Sequence, residues 1–519
     1  MVLSALAQGA DRLVARRARA LALPVVALLP MPQADYEADF EEGTDLEEFR
    51  SLLGSAVRTI ELPWLGARAA DDNDQAARQA QYALLGETLV GYSTIVLALW
   101  NGKVTNLAGG TDTVVAAAQH RTGSSVHALD QHAAPFVYQI VTPRSKAPET
   151  EGEAFSHSSF EDAQHDACLR SLASIDRWNR DAAPLWAAGG DEGRAAAGPD
   201  AIARTFAIAD ALAIGEQAVE QRAFLGVYLI GAAAALIYVA YNNMFAGANW
   251  LLGIDVAITA IGFVTYGIAM SRNAPDRFQD YRALAEGLRV QDAWASSGIG
   301  ADVADHYAHR QRSALDWIEG DEDDGAPASK LNWIRRTIRV ARQVRDFSAG
   351  AGDPSPRRER LRAVLVDWIE PQAAYFARAA ARKAAASRRC RNLWRAFALG
   401  AFACTVVLLL AVSIPALHQL VDGDLKGDWF FVIGMLTICS ALVQNYADKR
   451  AFGTLHKQYA AMQRMFGTAG TTMRTLVEGE FDEARAEQVV FEIGREALAE
   501  NADWMIALRD RPLEIVLSG

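Results

Sequence analysis

Two glycine-bearing turns hold the residue types in this sequence that could bind a small charged ligand. Where such a turn follows a strand and begins a helix, free backbone N–H groups and the helix dipole favour a phosphate, and glycine allows close approach. Each turn alone also has a simpler explanation, because glycine ends strands and Asp or Thr caps helices. Together they predict a binding site for a ligand that carries a phosphate. Its candidate residues are Gly9, Asp11, Arg12, Gly109, Gly110 and Thr111.

Other reactive side chains do not form a recognisable catalytic or metal site. The histidines His120, His127 and His132 lie in a loop-rich segment without the spacing of helical metal ligands. The four cysteines are scattered along the chain, so we expect neither a zinc site nor a disulfide framework. The residues therefore favour ligand binding over catalysis, with no catalytic residue, metal or further cofactor assigned.

A parallel α/β sheet is the element that would bring both turns to one edge. Short apolar segments alternate with amphipathic ones over residues 1–142, which is typical of a Rossmann-like domain. We predict strands near Val2–Leu6, Val25–Leu29, Val57–Leu62, Thr94–Trp100 and Phe136–Val141. We predict helices near Asp11–Leu21, Leu46–Ala56, Asp74–Leu89 and Thr111–His120.

Four later segments have the length and apolarity needed to cross a membrane as helices. They lie at about 223–241, 250–270, 396–414 and 429–446 and form two hairpins. Arginine and lysine flank the open ends of both hairpins, so the positive-inside rule places both loops outside and the remaining chain in the cytoplasm. We expect a multi-pass protein of the bacterial inner membrane. The alternative is that these segments are core helices of a soluble protein.

Asp255 is the one ionisable residue within a predicted span, which makes it a candidate pore residue. It lies five residues after Trp250, or about 7.5 Å along a helix. A hydrated aspartate in the outer leaflet is therefore an equally good interpretation. Because four spans with so few polar residues make a poor pore alone, we expect a homo-oligomer.

A polar helix precedes and follows each hairpin, which predicts two tandem helix–hairpin–helix units at 201–318 and 356–519. Residues 143–200 are predicted to be a linker with a short helix, and 319–355 an acidic linker followed by a basic helix. The arginines of that helix could meet anionic lipid or simply face solvent or a partner. The net charge of −12 argues against a nucleic-acid partner. The basic-helix residues are Arg335, Arg339, Arg342 and Arg345.

The N-terminal segments LSALAQGADRLVARRA, PVVALLPMP, STIVLALWNG and GGTDTVVAAA resemble the SLOG superfamily, which includes the LOG-type proteins. The resemblance covers residues 1–142 and implies a nucleotide-type ligand at the glycine-rich edge. Two features depart from the family. Its sheet normally starts with another strand and glycine turn ahead of the part matched by Leu3–Arg12. LOG-type enzymes also carry a glutamate after the paired glycines, where this chain has Val114, Val115 and Ala116.

The hairpins resemble the SLATT class of two-transmembrane effector modules. This resemblance depends on the spans and on the following helix with Tyr281, Ala283, Glu286 and Leu288. The pairing of both modules implies a sensor–effector of bacterial defence, in which ligand binding makes the spans form a pore or perturb the membrane. Two alternatives are a membrane scaffold with a degenerate ligand site and a membrane-tethered nucleotide-processing enzyme. The missing glutamate disfavours the enzyme.

Overall fold

A computed structural model describes most of the chain, which contacts divide into two compact units. We call them the α/β unit, with Met1–Asn179, Ala197–Pro199 and Glu319–Gly350, and the helical unit, with Arg180–Ala196, Asp200–Ile318 and Ala351–Gly519. The described residues are 1–65, 75–105, 109–119, 136–143, 148–159, 162–188, 200–245, 247–271, 274–307, 328–348, 356–415 and 425–509. The predicted histidine group and the acidic stretch 319–327 lie outside them.

The first part of the chain alternates strands and helices, and all five predicted strands are present. The chain continues from the last strand into a helix much longer than the short one predicted for residues 143–200. The elements are β1 (Val2–Ser4), α1 (Ala10–Ala20), β2 (Val25–Leu29), α2 (Gln33–Tyr36), α3 (Thr44–Gly54), β3 (Arg58–Glu61), α4 (Gln75–Tyr92), β4 (Ile95–Trp100), α5 (Thr111–Gln119), β5 (Phe136–Val141), β6 (His157–Ser159) and α6 (Asp162–Ala188).

The strands form two three-stranded sheets. The first has the order β1-β2-β3 and is entirely parallel. The second has the order β4-β5-β6, in which β4 and β5 are parallel and β6 pairs antiparallel with β5. The antiparallel strand β6 was not predicted. The described residues of the connection before it contain no crossover helix, and a parallel return would require one.

Helix α4 packs against both sheets and so forms the centre of the α/β core. Leu85 packs with Leu28 of β2, and Val90 packs with Ala98 of β4. Strand β2 is buried along its whole length, as expected for a parallel strand covered on both faces. The apolar alternation of the sequence therefore reflects a real two-sided core.

The rest of the chain is helical. Helix α11 belongs to the α/β unit and the other helices of this part belong to the helical unit. A short π-helical segment, Leu365–Ile369, joins α12 to α13. The helices are α7 (Ala201–Asn243), α8 (Asn249–Ser271), α9 (Ala274–Ser297), α10 (Val303–His306), α11 (Ala328–Ser348), α12 (Arg357–Val364), α13 (Glu370–Ser413), α14 (Leu425–Lys449), α15 (Phe452–Glu478) and α16 (Glu483–Arg509).

The basic helix α11 packs on the α/β unit. The ring of Trp333 lies 6.5 Å from that of Trp178, measured between centroids. Gln343 donates a hydrogen bond to the Tyr92 carbonyl at 3.3 Å. Arg335, one of the stripe predicted to meet lipid or solvent, is buried. Part of that stripe therefore belongs to the interior of this unit.

Four helical segments are long and apolar enough to cross a membrane, and they contain the four predicted spans. Their apolar side chains are largely uncovered: Val256, Leu399 and Phe402 are each 68% exposed. A core helix of a soluble protein would bury such residues, whereas a bilayer would cover them. This exposure disfavours the soluble alternative and supports a membrane protein.

The same order of elements occurs around both hairpins. Helix α7 runs unbroken for 43 residues, and its second half contains the first span. Helix α13 does the same over 44 residues for the third span. The helix that follows each hairpin packs back on the long one, α9 on α7 and α15 on α13. In both units, the polar helix and the span that follows it are therefore parts of one continuous helix.

The two hairpins meet where α7 lies antiparallel to α14. The Tyr228 hydroxyl donates a hydrogen bond to Asn445. Further along the pair, a Cβ at Gly434 would lie only 3.1 Å from Val239 Cγ1. A small residue at such a point lets two spans approach closely, and a polar pair supports their contact.

Candidate functional site

The first glycine turn joins β1 to α1, and its arginine turns into the fold. Gly9 has a φ of 98°, in the region that favours glycine. The Arg12 side chain is 1% exposed, and its Nη1 donates to Asp45 Oδ1 at 2.6 Å. Its Nε donates to the Leu6 carbonyl at 3.0 Å, and the Phe40 ring lies 4.7 Å away. The charge of this arginine is therefore neutralised within the unit.

Asp11 occupies the backbone donors of the same turn. The N–H groups of Ala5 and Ala7 donate to its carboxylate. Burial raises the pKa of Asp11, and these two hydrogen bonds oppose that rise only in part. The first turn therefore presents a carboxyl group where an anion site would present free N–H groups.

The second glycine turn joins β4 to α5 and packs closely on α4. Gly109 has a φ of 76°, and a Cβ there would lie 2.5 Å from backbone and side-chain atoms of Tyr82. The Gly110 carbonyl accepts a hydrogen bond from the Thr113 hydroxyl at 2.8 Å. Thr111, the first residue of α5, is partly exposed. Among the described residues of this turn, Gly109, Gly110 and Thr111 are partly exposed at the start of a helix, the position at which proteins often bind a phosphate.

Two tyrosines connect the turns. The Tyr36 hydroxyl donates to the Ala5 carbonyl at 3.2 Å, beside the first turn, and its ring lies 6.4 Å from that of Tyr82. The Tyr82 hydroxyl donates to Asp39. Burial raises the pKa of Tyr36, and the nearby charges of Tyr82 and Asp11 add to the rise. Neither tyrosine belongs to a recognisable sequence motif, so no signal in the sequence indicated their position.

Gln81 holds the segments that follow β2 and β3. It is fully buried, and its Nε2 donates to the carbonyls of Pro30 at 2.6 Å and Pro63 at 3.1 Å. Its Oε1 accepts from the Leu65 N–H at 3.0 Å. The same strand edge that carries the first turn is therefore fixed from α4. A single amide within an amphipathic helix gives no sequence signal of this role.

Asp255 is partly buried on α8, seven residues into the helix. Its Oδ1 is inaccessible to solvent and has no hydrogen-bond partner among the described residues. Helix α8 packs on α7, where a Cβ at Gly262 would contact the Ile230 side chain at 3.0 Å. The structure thus places the candidate pore residue near one end of its span.

A cluster of charged side chains, unnoticed in the sequence, lies among the polar helices of the helical unit. Arg282 pairs with Glu286 one turn along α9, and Arg289 Nη1 lies 2.6 Å from Glu286 Oε2. Asp210 of α7 lies 3.3 Å from Arg282 Nη1. With Glu500 of α16 these residues form what we call the α9 ionic network. The spacing of 282, 286 and 289 along one helix face was the available signal.

The two glutamates of the α9 ionic network have opposite pKa shifts. Burial raises the pKa of Glu500 to about 7, with the charge of Glu286 adding and that of Arg282 opposing. Burial also acts on Glu286, but Arg282 and Arg289 hold its pKa below the usual value. Glu500 Oε1 is inaccessible and has no hydrogen-bond partner among the described residues. Burial thus favours the neutral form of Glu500, while the two arginines favour the charged form of Glu286 beside it.

Comparison of this chain with protein-family models, with curated proteins and with solved structures gives no match. The SLOG and SLATT resemblances therefore stay predictions from the sequence. The features of the chain that bear on its function are the two turns, the ionic network and the four apolar helices described above.

Proposed function

We propose that this protein is a membrane-embedded sensor–effector of the bacterial inner membrane. A cytoplasmic, Rossmann-like α/β unit binds a nucleotide-derived ligand, and binding changes the packing of the four spans. The output is a pore or a perturbed bilayer in a homo-oligomer, which would suit bacterial defence. Control of this kind requires that the ligand bind one arrangement of the protein better than another.

The observation that carries this proposal is the continuity of α7 and α13. Each helix has a polar half packed among other helices and an apolar half long enough to span a bilayer. Because a helix is stiff along its axis, displacement of the polar half moves the span with it. A π-helical segment at Leu365–Ile369 directly precedes α13, and such irregular turns often mark functional positions.

The chemistry of the two turns suggests how the ligand is bound. Gly110 and Thr111 at the start of α5 would receive a phosphate. The carboxyl group of Asp11 suits a ribose hydroxyl better than a phosphate, because it is an acceptor and carries negative charge. Tyr82, between the turns, offers an aromatic side chain to a base. The ligand class is therefore a nucleoside phosphate or a derivative of one.

One observation favours a second candidate, a membrane scaffold with a degenerate ligand site. Arg12 Nη1 pairs with Asp45, and the N–H groups of Ala5 and Ala7 donate to Asp11, so that among these donors only the buried Arg12 Nη2 has no partner within the described residues. A turn whose donors are mostly occupied would bind a ligand poorly. The two candidates therefore differ in one measurable property, which is nucleotide binding.

Leakage of a trapped dye from liposomes containing the full chain tests the proposal. We expect one or more of a panel of nucleoside mono-, di- and cyclic phosphates to change the leakage rate and to raise the melting temperature. The variant Gly110→Val should abolish both responses, while Gly54→Ala, whose added Cβ meets open space, should keep them. If no nucleotide changes the leakage rate or the melting temperature, the sensor–effector proposal is contradicted and the membrane scaffold is supported. If the protein converts a nucleotide to a product, the membrane-tethered enzyme is supported.

A further inference from the structure

A stripe of exposed arginines lies on α13 immediately before the third span. Arg388, Arg391 and Arg395 follow the spacing i, i+3, i+7 and so share one face of the helix. All three side chains are exposed, and none forms an ion pair with a described residue. We call these three residues the arginine stripe. The guanidinium of Arg395 also lies over the Trp394 ring, 5.7 Å from its centroid. Three guanidinium groups on one face, without an ion-pair partner among the described residues, form a strong anion-binding surface.

In a bilayer that covers the third span, the arginine stripe would lie at the depth of the lipid headgroups. It extends over seven residue steps, or about 10 Å of helix. The next residues begin the apolar span, whose Leu399 and Phe402 are exposed where a bilayer would cover them. The headgroup layer of one leaflet is about 5 to 8 Å thick. The stripe therefore meets the phosphate groups of the leaflet that α13 enters.

The first hairpin shows that such a stripe is not needed simply to insert a span. Helix α7 carries Glu216, Glu220 and Arg222 before its apolar half. Glu216 lies 3.1 Å from Arg277 and Glu220 lies 3.6 Å from Arg450, so two of these charges are directed to the protein. Orientation by positive charge would act on both hairpins alike. The stripe on α13 exceeds what orientation requires.

We propose that Arg388, Arg391 and Arg395 bind the headgroups of anionic phospholipids selectively over zwitterionic ones. Each guanidinium can donate two parallel hydrogen bonds to a phosphate, and juxtamembrane basic residues attract anionic lipid. A zwitterionic headgroup carries its own ammonium, which repels the stripe. The composition of the leaflet then sets how firmly α13 is held at the membrane surface, whether or not the α/β unit binds a ligand.

Native mass spectrometry of the full chain in a neutral detergent tests this proposal. The protein is titrated with phosphatidylglycerol and with phosphatidylcholine of the same acyl chains. We expect the wild type to bind phosphatidylglycerol about 10-fold more tightly or better, from the attraction of several basic residues. The variant R388Q/R391Q/R395Q should lose this preference. The control R362Q/R378Q/R382Q removes three exposed arginines from α12 and α13 farther from the span and should keep it.

Two results would overturn the proposal. One is an unchanged lipid preference in the stripe variant, and the other is displacement of the lipid by an equal concentration of glycerol phosphate, which would indicate a site for free phosphate. Circular dichroism first establishes that each variant is folded. If the triple variant is not, the single variants R388Q, R391Q and R395Q are used, and each should weaken phosphatidylglycerol binding about 2- to 5-fold. No weakening in any of them would also contradict the proposal.

Discussion

The two hairpin units share an arrangement of helices but differ in the charges that precede their spans. In the first unit, Asp210 and Glu216 of α7 pair with arginines of α9, so the charge of this helix is directed inward. In the second, Arg388 and Arg391 of α13 are exposed. The same arrangement of helices thus occurs with two charge patterns. In the first unit the long helix is joined to its neighbour by ion pairs, and in the second its arginines are exposed next to the span. Only the second is suited to respond to lipid.

The two units also differ in the contacts that hold their helices together. The first unit joins α9 to α7 by partly buried charged pairs. In the second unit, α15 and α13 are joined by packed rings such as Phe376 and Phe466, 5.6 Å apart, and by an ion pair of the more exposed Arg474 and Glu370. Charged pairs depend on protonation and on complete pairing, while ring contacts depend on shape. Because exposed pairs contribute little, the first unit should be more sensitive to pH and to charge removal than the second.

The substitution Arg282→Ala should have the largest effect, because it leaves Glu286 and Asp210 short of a partner. We expect the free energy of unfolding to fall by about 3 kcal/mol, toward the lower end of the usual cost of breaking a buried ion pair from one side, because the two side chains are 23% and 18% exposed. The melting temperature in detergent measures this loss. Arg378→Ala, an exposed arginine of the second unit, is the matched control. Equal losses in both would mean that the charge pairing of the first unit is unimportant.

The substitution Glu500→Gln should have the next largest effect, which is a change in how the stability of the protein depends on pH. The pKa of Glu500 is raised to about 7 from an ordinary 4.5, so its contribution to stability is full below about pH 4.5 and is lost as the pH rises to about 7. The full loss is on the order of 3 kcal/mol. The glutamine variant should equal the wild type at pH 4 and exceed it in melting temperature at pH 8.

Glu496→Gln, an exposed glutamate on the same helix, serves as the control for this titration and should follow the wild type at every pH. The groups that face Glu500 among the described residues are Glu286 and Arg282 of α9, Tyr459 of α15 and Asp503 of its own helix. Parallel curves for the wild type and the Glu500 variant would show that the pKa of Glu500 is the same in the folded and unfolded protein, which would contradict the prediction.

The smallest effect concerns the contact between the hairpins. Gly434→Leu places atoms where a Cβ alone would already lie 3.1 Å from Val239 Cγ1, so α14 must move away from α7. Overpacking of this kind costs about 1 to 3 kcal/mol. Gly231→Leu on α7 points its added Cβ into open space and is the control. A lower melting temperature for both variants alike would mean that the contact does not depend on this glycine.

The strands and spans could be predicted because their signals are local. Val25–Leu29 is a run of apolar residues long enough for one buried strand, and the structure has a strand with these bounds. The spans needed only length and apolarity. The helix Asp162–Ala188 was underestimated, because its polar composition and an internal Pro184 gave a weak helical signal.

The candidate site was less predictable, because a side chain's role depends on partners that are distant in sequence. Arg12 looked free to bind a ligand, but Asp45 of α3 neutralises it. Glu500 gave no signal at all until α16 brought it beside Glu286. Neither partner could be chosen from spacing, since the chain between them adopts several helices.

By itself the sequence determined where the apolar spans lie and where strands and helices alternate in the first part of the chain. Both signals are local, because a span needs a continuous apolar stretch and a buried strand or helix needs a regular pattern of apolar residues. Only the tertiary structure decided which charges are paired and which are free. Asp210 and Arg282 meet because α9 folds back on α7, while Arg388 stays exposed because no acidic side chain is packed opposite it in the described part of the chain. Electrostatic roles depend on three-dimensional neighbours, and those are fixed by packing.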